Sequence, residues 1–386
     1  MKKLFYLGLL ALGIFEILKV YFIMPMPGSQ QFNSIDVAYF LHSYRWYFRI
    51  AFGIMIALGS IKTLRGKRKW IPALPLALVL VIIYYFNFKM SADYMFLQPE
   101  QLVFKPRAEN VLSDSSIVIA VSQGIEAKAY PVRFIAYHHQ VRDTVNGKPI
   151  MVTYCNVCRT GRVYEPFVNG EPEEFRLVGM DHFNAMFEDE TTKSWWQQST
   201  GQAITGKLKG NMLPEFQSSQ LTLNKFFSIY PFGKVMQEGG LSKENYDTLA
   251  RFEKGRSKGK LTRTDSLSWK DKSWVVGIQV REKTKAYDWS DLKRSTLIHD
   301  QIGNTPIVIA LSEDGQSFVV FRRNSETETF TLSNDSLISN ENRYDFAGRG
   351  SNGQNLQSVK GYQEFWHSWK TFHPDTEIYK SDSESR

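Results

Sequence analysis

The chain has 386 residues, of which 43% are hydrophobic and 14% aromatic, and this ordinary composition excludes a globally disordered protein. Its net charge of +8 is concentrated near the N-terminus, because residues 1–112 hold 13 of the 47 basic and 5 of the 39 acidic residues. Residues 113–386 carry no net charge. A function driven by attraction to nucleic-acid phosphates is therefore not expected, and no nucleic-acid partner is predicted.

Residues 1–88 are predicted to anchor the chain in a lipid bilayer. Apolar stretches at 4–24, 46–62 and 70–88 indicate two or three transmembrane helices, the middle stretch being short for a span. A cleaved signal peptide is the alternative for the first stretch, but no A-x-A site follows it. Glu16 and Lys19 lie three residues apart, so they could pair on one face of the first helix.

The charges around these stretches predict their orientation. The loop KTLRGKRK, which includes Lys67, and the N-terminal Lys2 and Lys3 favour the cytoplasmic side. Three spans then place the rest of the chain outside, whereas two spans would keep it inside. The three-span interpretation predicts a membrane protein whose C-terminal domain lies outside the cytoplasm.

The rest of the chain reads as a divergent internal duplication. After a linker at 89–112, residues 117–164 and 274–321 align without a gap at a constant shift of 157. EAKAYP then matches KTKAYD, and DTVNGKPIMV matches DQIGNTPIVI. Self-similarity at a fixed spacing is typical of a repeated structural unit. We expect a first copy at 113–252, a joint at 253–268 and a second, degenerate copy at 269–386.

Each copy is predicted to be mainly β-structure. IVIAV, IMVTY, RVYEPF and EFRLVG are short β-branched or aromatic runs separated by turn residues. Asn146-Gly147 and Gly303-Asn304 are expected to form two-residue hairpin turns, and short helices are expected after Pro131 and over 241–256. The predicted fold class is therefore α+β and β-dominated, in two related copies, preceded by two or three transmembrane helices.

Both cysteines of the chain lie in the segment VTYCNVCRTG, as Cys155 and Cys158. Arg159 occupies the place of the histidine that a c-type haem attachment needs, so no haem is expected. A strand is predicted on each side of the motif, which argues against the helix start used by thioredoxin-like sites. No signature of a cysteine hydrolase is present.

The predicted hairpin brings histidines towards these cysteines. With Asn146-Gly147 as the turn, cross-strand partners sum to 293, so that His138 faces Cys155 and His139 faces Tyr154. Two sulfurs and an imidazole suit Cu(I) or Zn(II), and they equally suit a thiolate activated by a histidine. At the shift of 157, the second copy has Ser312, Gly315 and Ser295 in place of Cys155, Cys158 and His138.

Three functions stay open on these residues. The leading hypothesis is a module that binds copper or zinc through Cys155, Cys158 and His138, with His139 as a further candidate ligand. The second is a thiol–disulfide oxidoreductase of the cell envelope, and the third is a non-catalytic binding domain with a structural disulfide. No catalytic residue can be assigned from the sequence.

Several ordered motifs resemble the bacterial domain of unknown function family 3179. They are VTYCNVC with a preceding H-x(4)-D-T-x-x-G-x-P, and the closing FW-x-x-W-x-x-F-x-P at 365–374. A middle motif contributes further matches, at Thr191, Trp195, Gln197, Gly201, Ile204 and Gly206. The resemblance covers roughly 114–380 and implies that His138, Cys155 and Cys158 matter to the family. It also implies a bacterial source, so that three spans predict a protein of the bacterial inner (cytoplasmic) membrane, with its C-terminal domain facing the periplasm or the cell exterior. His139 departs from it by replacing an acidic residue, and the resemblance implies no reaction.

Overall fold

We describe the protein from a computed structural model, which describes residues 1–66, 68–99, 101–239, 243–340 and 342–380. Lys67 of the predicted cytoplasmic loop and Leu241 of the predicted helix lie outside these residues. The chain forms two compact units. Unit 1 contains 1–97, 173–197 and 202–212, and unit 2 contains 98–172, 198–201 and 213–386.

Unit 1 begins with five helices. They are α1 (Lys2–Tyr21), α2 (Ile35–Ser43), α3 (Arg45–Thr63), α4 (Trp70–Tyr84) and α5 (Ala92–Met95), and a π-helical segment, Tyr85–Lys89, extends α4. Within the described residues, two helices are long and apolar enough to cross a membrane, namely Lys2–Tyr21 and Trp70–Lys89. The predicted middle stretch is helical, as α3, but it is not one of these two.

Helices α1 and α3 run antiparallel and pack closely through glycines. Gly8 lies against Ile56, and Gly59 lies against the backbone of Phe5. A Cβ atom at Gly59 would overlap that backbone, so only glycine permits this approach. Small residues at such contacts are typical of helix pairs in membranes. The apolar residues on the opposite face of α3 are exposed at helical spacing: Tyr47, Ile50, Ile54, Leu58 and Ile61.

A polar cluster joins three of these helices. The carboxylate of Glu16 in α1 is fully buried and accepts hydrogen bonds from Arg49 Nε at 2.6 Å and from Lys19 Nζ at 3.0 Å. Asn87 donates to the same carboxylate at 2.9 Å and accepts from Arg49 at 2.7 Å. The expected Glu16–Lys19 pair is therefore present, and Arg49 and Asn87 complete it.

The strands before the middle motif belong mostly to unit 2. They are β1 (Phe104–Pro106), β2 (Ile117–Gln123), β3 (Glu126–Pro131), β4 (Gln140–Val145), β5 (Lys148–Cys155), β6 (Thr160–Tyr164), β7 (Phe167–Val168) and β8 (Glu171–Pro172), with α6 (Val132–His138) after β3. Next come β9 (Phe175–Asp181), β10 (Asn184–Asp189), β11 (Trp195–Gln197) and β12 (Ala203–Thr205), which form a separate antiparallel sheet in unit 1.

The remaining elements complete unit 2. The first group is β13 (Ser218–Thr222), α7 (Leu223–Ile229), β14 (Lys234–Met236) and α8 (Lys243–Glu253). The second is β15 (Trp274–Val280), β16 (Lys283–Asp288), α9 (Trp289–Ser295), β17 (Leu297–Ile302), β18 (Thr305–Leu311), β19 (Phe318–Arg322), β20 (Thr331–Ser333), β21 (Ser336–Ser339), β22 (Asn342–Tyr344), β23 (Gly361–Phe365), α10 (Trp366–Phe372) and β24 (Glu377–Ile378). The fold is mixed α+β with many strands, as predicted.

Two sheets of unit 2 share an arrangement of four strands, to which the first sheet adds β1 at its edge. One is ordered β1-β14-β3-β2-β13 and the other β24-β16-β15-β23. In each, a long antiparallel pair (β2–β3 or β15–β16) is flanked by a late antiparallel strand (β13 or β23) and by a parallel strand (β14 or β24). A three-stranded meander accompanies each, β4-β5-β6 and β17-β18-β19.

Both predicted hairpin turns are confirmed. Asn146 and Gly147 have positive φ angles of 47° and 78°, as a tight hairpin turn requires, and Val145 pairs with Lys148. Ile302 pairs with Thr305 around Gly303, whose φ is 56°. The predicted strand RVYEPF is shorter than expected, because β6 ends at Tyr164 and Pro166 cannot donate a ladder hydrogen bond.

Candidate functional site

The C-x-x-C motif forms the turn between β5 and β6. Cys155 is the last residue of β5 and pairs with Thr160, the first residue of β6. The turn closes because Arg159 adopts a left-handed conformation, with a φ of 56°. As predicted, a strand precedes the motif and a strand follows it, so no helix begins at either cysteine.

The two thiols lie together in the interior. Cys155 is 1% and Cys158 is 0% exposed, and the described chain holds them as thiols rather than as a disulfide. Their side chains are hydrogen-bonded to each other, and the Cys158 side chain is also hydrogen-bonded to that of Ser368. Burial raises the pKa of the Cys158 thiol well above its usual range, and the hydrogen bond with Cys155 raises this pKa further. Cys158 is therefore expected to be protonated at pH 7.

The C-terminal motif holds the turn from the other side. The backbone N–H of Phe365 donates to the carbonyl of Cys158 at 3.0 Å. The hydroxyls of Thr160 and Ser368 lie 3.2 Å apart, and Ser368 also donates to Glu364 at 3.0 Å. The motif FW-x-x-W thus supplies, through β23 and the first turn of α10, groups that contact the dithiol turn.

A lysine and a histidine lie at the partly exposed side of the turn. Lys272 Nζ donates to the carbonyl of Val157 at 2.7 Å and lies 3.0 Å from Nε2 of His367. Burial lowers the pKa of Lys272, and the nearby thiols of Cys158 and Cys155 oppose this by favouring its charged form. Burial and the neighbouring ammonium lower the pKa of His367 to about 4, so this imidazole is neutral at pH 7.

Arg159 fixes the turn from within. Its guanidinium donates to Gln363 at 3.0 Å and to the carbonyls of Phe252 and Glu253 at 3.2 and 3.0 Å. It lies 3.6 Å from the ring centre of Trp274, a cation–π contact. The residue in the place of the haem-type histidine is therefore a structural anchor of the turn.

The predicted histidines occupy the end of α6. The predicted register, with partners summing to 293, is confirmed from Val145 to Gln140. His138, however, is the last residue of α6 rather than a strand residue, and its Nε2 lies 2.9 Å from the hydroxyl of Tyr246. His139 has a φ of 63° and lies opposite Tyr154, whose N–H donates to the His139 carbonyl at 3.0 Å.

The middle motif is packed rather than open. Trp195 and Trp196 are buried, and their indole N–H groups donate to Glu188 and Asp189, each at 2.9 Å. In unit 2, Gln198 donates to the hydroxyl of Thr153 in β5 at 2.9 Å. These bonds satisfy both indole donors, and Gln198 supports the strand that carries Cys155.

Within the described residues, no group of three or more His, Cys, Asp or Glu residues is arranged to hold a metal ion. The copper or zinc site at Cys155, Cys158 and His138 thus stays a prediction. The sequence reasoning missed Lys272, His367 and Ser368. The signal for the last two was the motif FW-x-x-W, which encloses them, whereas Lys272 has no local signal.

Comparison with known proteins gives one match. The family model described as "Protein of unknown function (DUF3179)" matches residues 100–376, which include both cysteines, Lys272 and the motif FW-x-x-W. No curated protein matches the chain, and no solved structure matches it. Since the family model covers more than half of the sequence, the chain belongs to the DUF3179 family of proteins of unknown function.

Proposed function

We propose that this protein is a membrane-anchored thiol–disulfide protein whose reacting groups are Cys155 and Cys158. The observation that carries the proposal is the pair of hydrogen-bonded thiols beside the ammonium of Lys272. A cation next to a thiol favours the thiolate, which is the form that attacks a disulfide. The proposal corresponds to the second of the functions that the sequence left open.

The two cysteines differ in the way that the chemistry requires. Cys158 is the buried thiol that keeps its proton, and it can donate that proton as a hydrogen bond to a Cys155 thiolate. Cys155 is then the nucleophile. Its thiolate attacks one sulfur of a partner disulfide, the partner S–S bond breaks, and one partner thiolate leaves. Cys158 loses its proton and attacks the Cys155 sulfur, which forms the Cys155–Cys158 disulfide and releases the second partner thiol.

A soft-metal site is less well supported by the same geometry. A copper or zinc ion held by Cys155 and Cys158 would lie near the Lys272 ammonium, and like charges repel strongly where water is partly excluded. Metal binding remains the alternative proposal, and a structural disulfide is the third.

We further propose that α3 is a third membrane span and that unit 2 lies outside the cytoplasm. Support comes from the contacts of α3 along the length of α1, from Gly59 at Phe5 to Arg49 at Glu16. The exposed face of α3 is apolar, as a lipid-facing surface must be. With Lys2 and Lys3 inside, three spans bring the chain outside after Lys89, to the periplasm or cell exterior of a bacterium.

An internal duplication is proposed for unit 2. Residues Ile117 and Trp274 begin equivalent strands, 157 positions apart, and Val118 pairs with Pro131 as Val275 pairs with Asp288. The order of the four strands that the two sheets share supports a common origin. In this view the first copy carries the reactive pair and the second copy contributes Lys272 and Ser368.

The test is a redox titration of the full chain in detergent, with the thiols counted by a maleimide mass shift and the metal content measured in parallel. We expect a reversible two-thiol transition above about −300 mV that is absent from Cys155→Ser and Cys158→Ser variants. A disulfide reduced only below that potential would identify a structural staple. Near-stoichiometric copper or zinc that is lost in both variants would establish the metal-binding alternative. Either result would overturn the proposal.

A further inference from the structure

Two turns at one end of the first sheet of unit 2 expose large apolar side chains. Gly124 and Ile125 join β2 to β3, and Ile125 is 100% exposed. Pro231 and Phe232 lie between α7 and β14, and Phe232 is 95% exposed. Neither side chain is covered by the chain itself, so both offer their full apolar surface to a partner.

The two turns are neighbours. The hydroxyl of Tyr230, at the start of the second turn, lies 3.1 Å from that of Ser122, near the end of β2. Strand β14 runs parallel to β3, with Lys234 paired to Lys128, so both turns lie at the same end of the sheet. A single exposed apolar residue needs no explanation, whereas neighbouring ones indicate an interaction site. We call residues 124–125 and 231–232 the apolar tip.

The matching sheet shows that the fold does not require these apolar residues. Its β15–β16 turn has Glu282 in the place of Ile125, and the turn before β24 has Asp375 in the place of Phe232. The places are equivalent because β24 pairs in parallel with β16 as β14 pairs with β3. The matching end presents exposed charged residues of both signs: Arg281, Glu282, Lys283, Asp375 and Glu377. The apolar tip is therefore a specific property of the first sheet.

Positive charge surrounds the apolar tip. The β4–β5 hairpin, which carries the exposed Lys148, reaches the tip through a hydrogen bond from its turn to Glu126. Lys234, also exposed, directly follows the second turn. Glu126 and Asp143 both pair with Lys128, so three lysines against two carboxylates leave a net charge of +1. An apolar tip with surplus positive charge suits the surface of a bilayer that contains anionic lipids.

We propose that the apolar tip inserts into the surface of the anionic bilayer that anchors the chain. Ile125 and Phe232 enter the boundary between headgroups and acyl chains, while Lys148 and Lys234 contact lipid phosphates. This contact orients unit 2 against the membrane. The inference goes beyond the thiol chemistry, and it rests on the proposed membrane anchor, which holds the chain at a bilayer.

The test measures lipid contact with single-cysteine labels on the full chain in nanodiscs. Ile125→Cys and Phe232→Cys, made in a chain whose two native cysteines are replaced by serine, carry an environment-sensitive fluorophore. Glu282→Cys and Asp375→Cys are the matched controls at the equivalent turns. In nanodiscs that contain phosphatidylglycerol, we expect lipids with a doxyl group near the headgroup to quench the two tip labels by about half and the control labels by less than about a tenth.

Hydrogen exchange provides a second measurement, on the chain with its native cysteines. The backbone amides of the two turns should exchange about threefold more slowly in phosphatidylglycerol nanodiscs than in phosphatidylcholine nanodiscs. Ile125→Glu/Phe232→Asp, which introduces the residues of the matching sheet, should remove this difference. Lys148→Gln/Lys234→Gln should also remove it, because the charge that distinguishes the two lipids is lost.

The outcomes separate this inference from the earlier proposals. Equal quenching at the tip and control positions, or equal exchange rates in the two kinds of nanodisc, would overturn it and point to a protein partner or a second copy of the chain as the cover of the tip. A chain that alkaline carbonate extracts from membranes would overturn the proposed anchor, and this inference with it. Neither result bears on the reactivity of Cys155 and Cys158, which the redox titration tests.

Discussion

Glu16 is predicted to hold the membrane helices together, and its removal tests this. Glu16→Ala would leave Arg49 and Lys19 in the helix bundle without their shared carboxylate. Breaking a buried ion pair from one side costs about 3–5 kcal/mol. Because Arg49 keeps its bond to Asn87 at 2.7 Å, we expect the lower end of this range, about 3 kcal/mol of unfolding free energy.

The assay is SDS-induced unfolding of the full chain in detergent micelles, followed by far-UV circular dichroism. Leu10→Ala is the control, since Leu10 is exposed on α1 and its truncation should change the free energy of unfolding little. The double variant Glu16→Ala/Arg49→Leu should recover part of the loss, because it removes one orphaned cation. A Glu16→Ala chain as stable as the wild type, or a double variant less stable than the single one, would refute the reasoning.

Three further predictions concern packing and pH. Gly59→Val should separate α1 from α3, because its side chain would overlap the backbone of Phe5, and the same SDS assay should show a loss of stability. Arg159→Ala should lower the free energy of unfolding by about 3 kcal/mol or more, because the carbonyls of Phe252 and Glu253 lose their donor. Arg159→Lys should recover only part of this loss, and thermal melting measures both variants. Burial lowers the pKa of His139 to about 4, so that the unfolded chain takes up a proton near pH 6.5 and the folded chain does not. Stability should therefore fall as the pH drops from about 6.5 to about 4, and His139→Asn, which suits the left-handed backbone there, should reduce this slope in urea titrations.

The local features of the fold could be predicted from the sequence. The turn at Asn146-Gly147 and its register follow from short-range steric rules, and so does the position of Cys155 at a strand end. The end of α6 at His138 was missed, because period-two patterning carries no information about where a helix ends before a strand. His138 was consequently assigned to a strand.

Only some residues of the candidate site could be predicted from the sequence. Cys155 and Cys158 are neighbours in sequence, but Lys272 reaches the turn from 115 residues away and His367 from 210 residues away. Such contacts depend on how the sheets pack, which no local pattern encodes. The partners of Glu16 illustrate the same point. Lys19 was predicted from helical spacing, whereas Arg49 and Asn87 lie on other helices and could not be predicted from a local pattern.

The interrupted composition of unit 1 has a consequence for biosynthesis. The strands β9 to β12 are translated long after α1 to α4, yet Val178, Met186 and Trp195 of this sheet share an apolar core with Ile23 and Ala38. The N-terminal helices are therefore synthesised before the sheet that shares their apolar core. A truncated chain that starts after α5 would expose to water the apolar side of the sheet that packs on Ile23 and Ala38. We expect such a chain to aggregate or to be bound by chaperones.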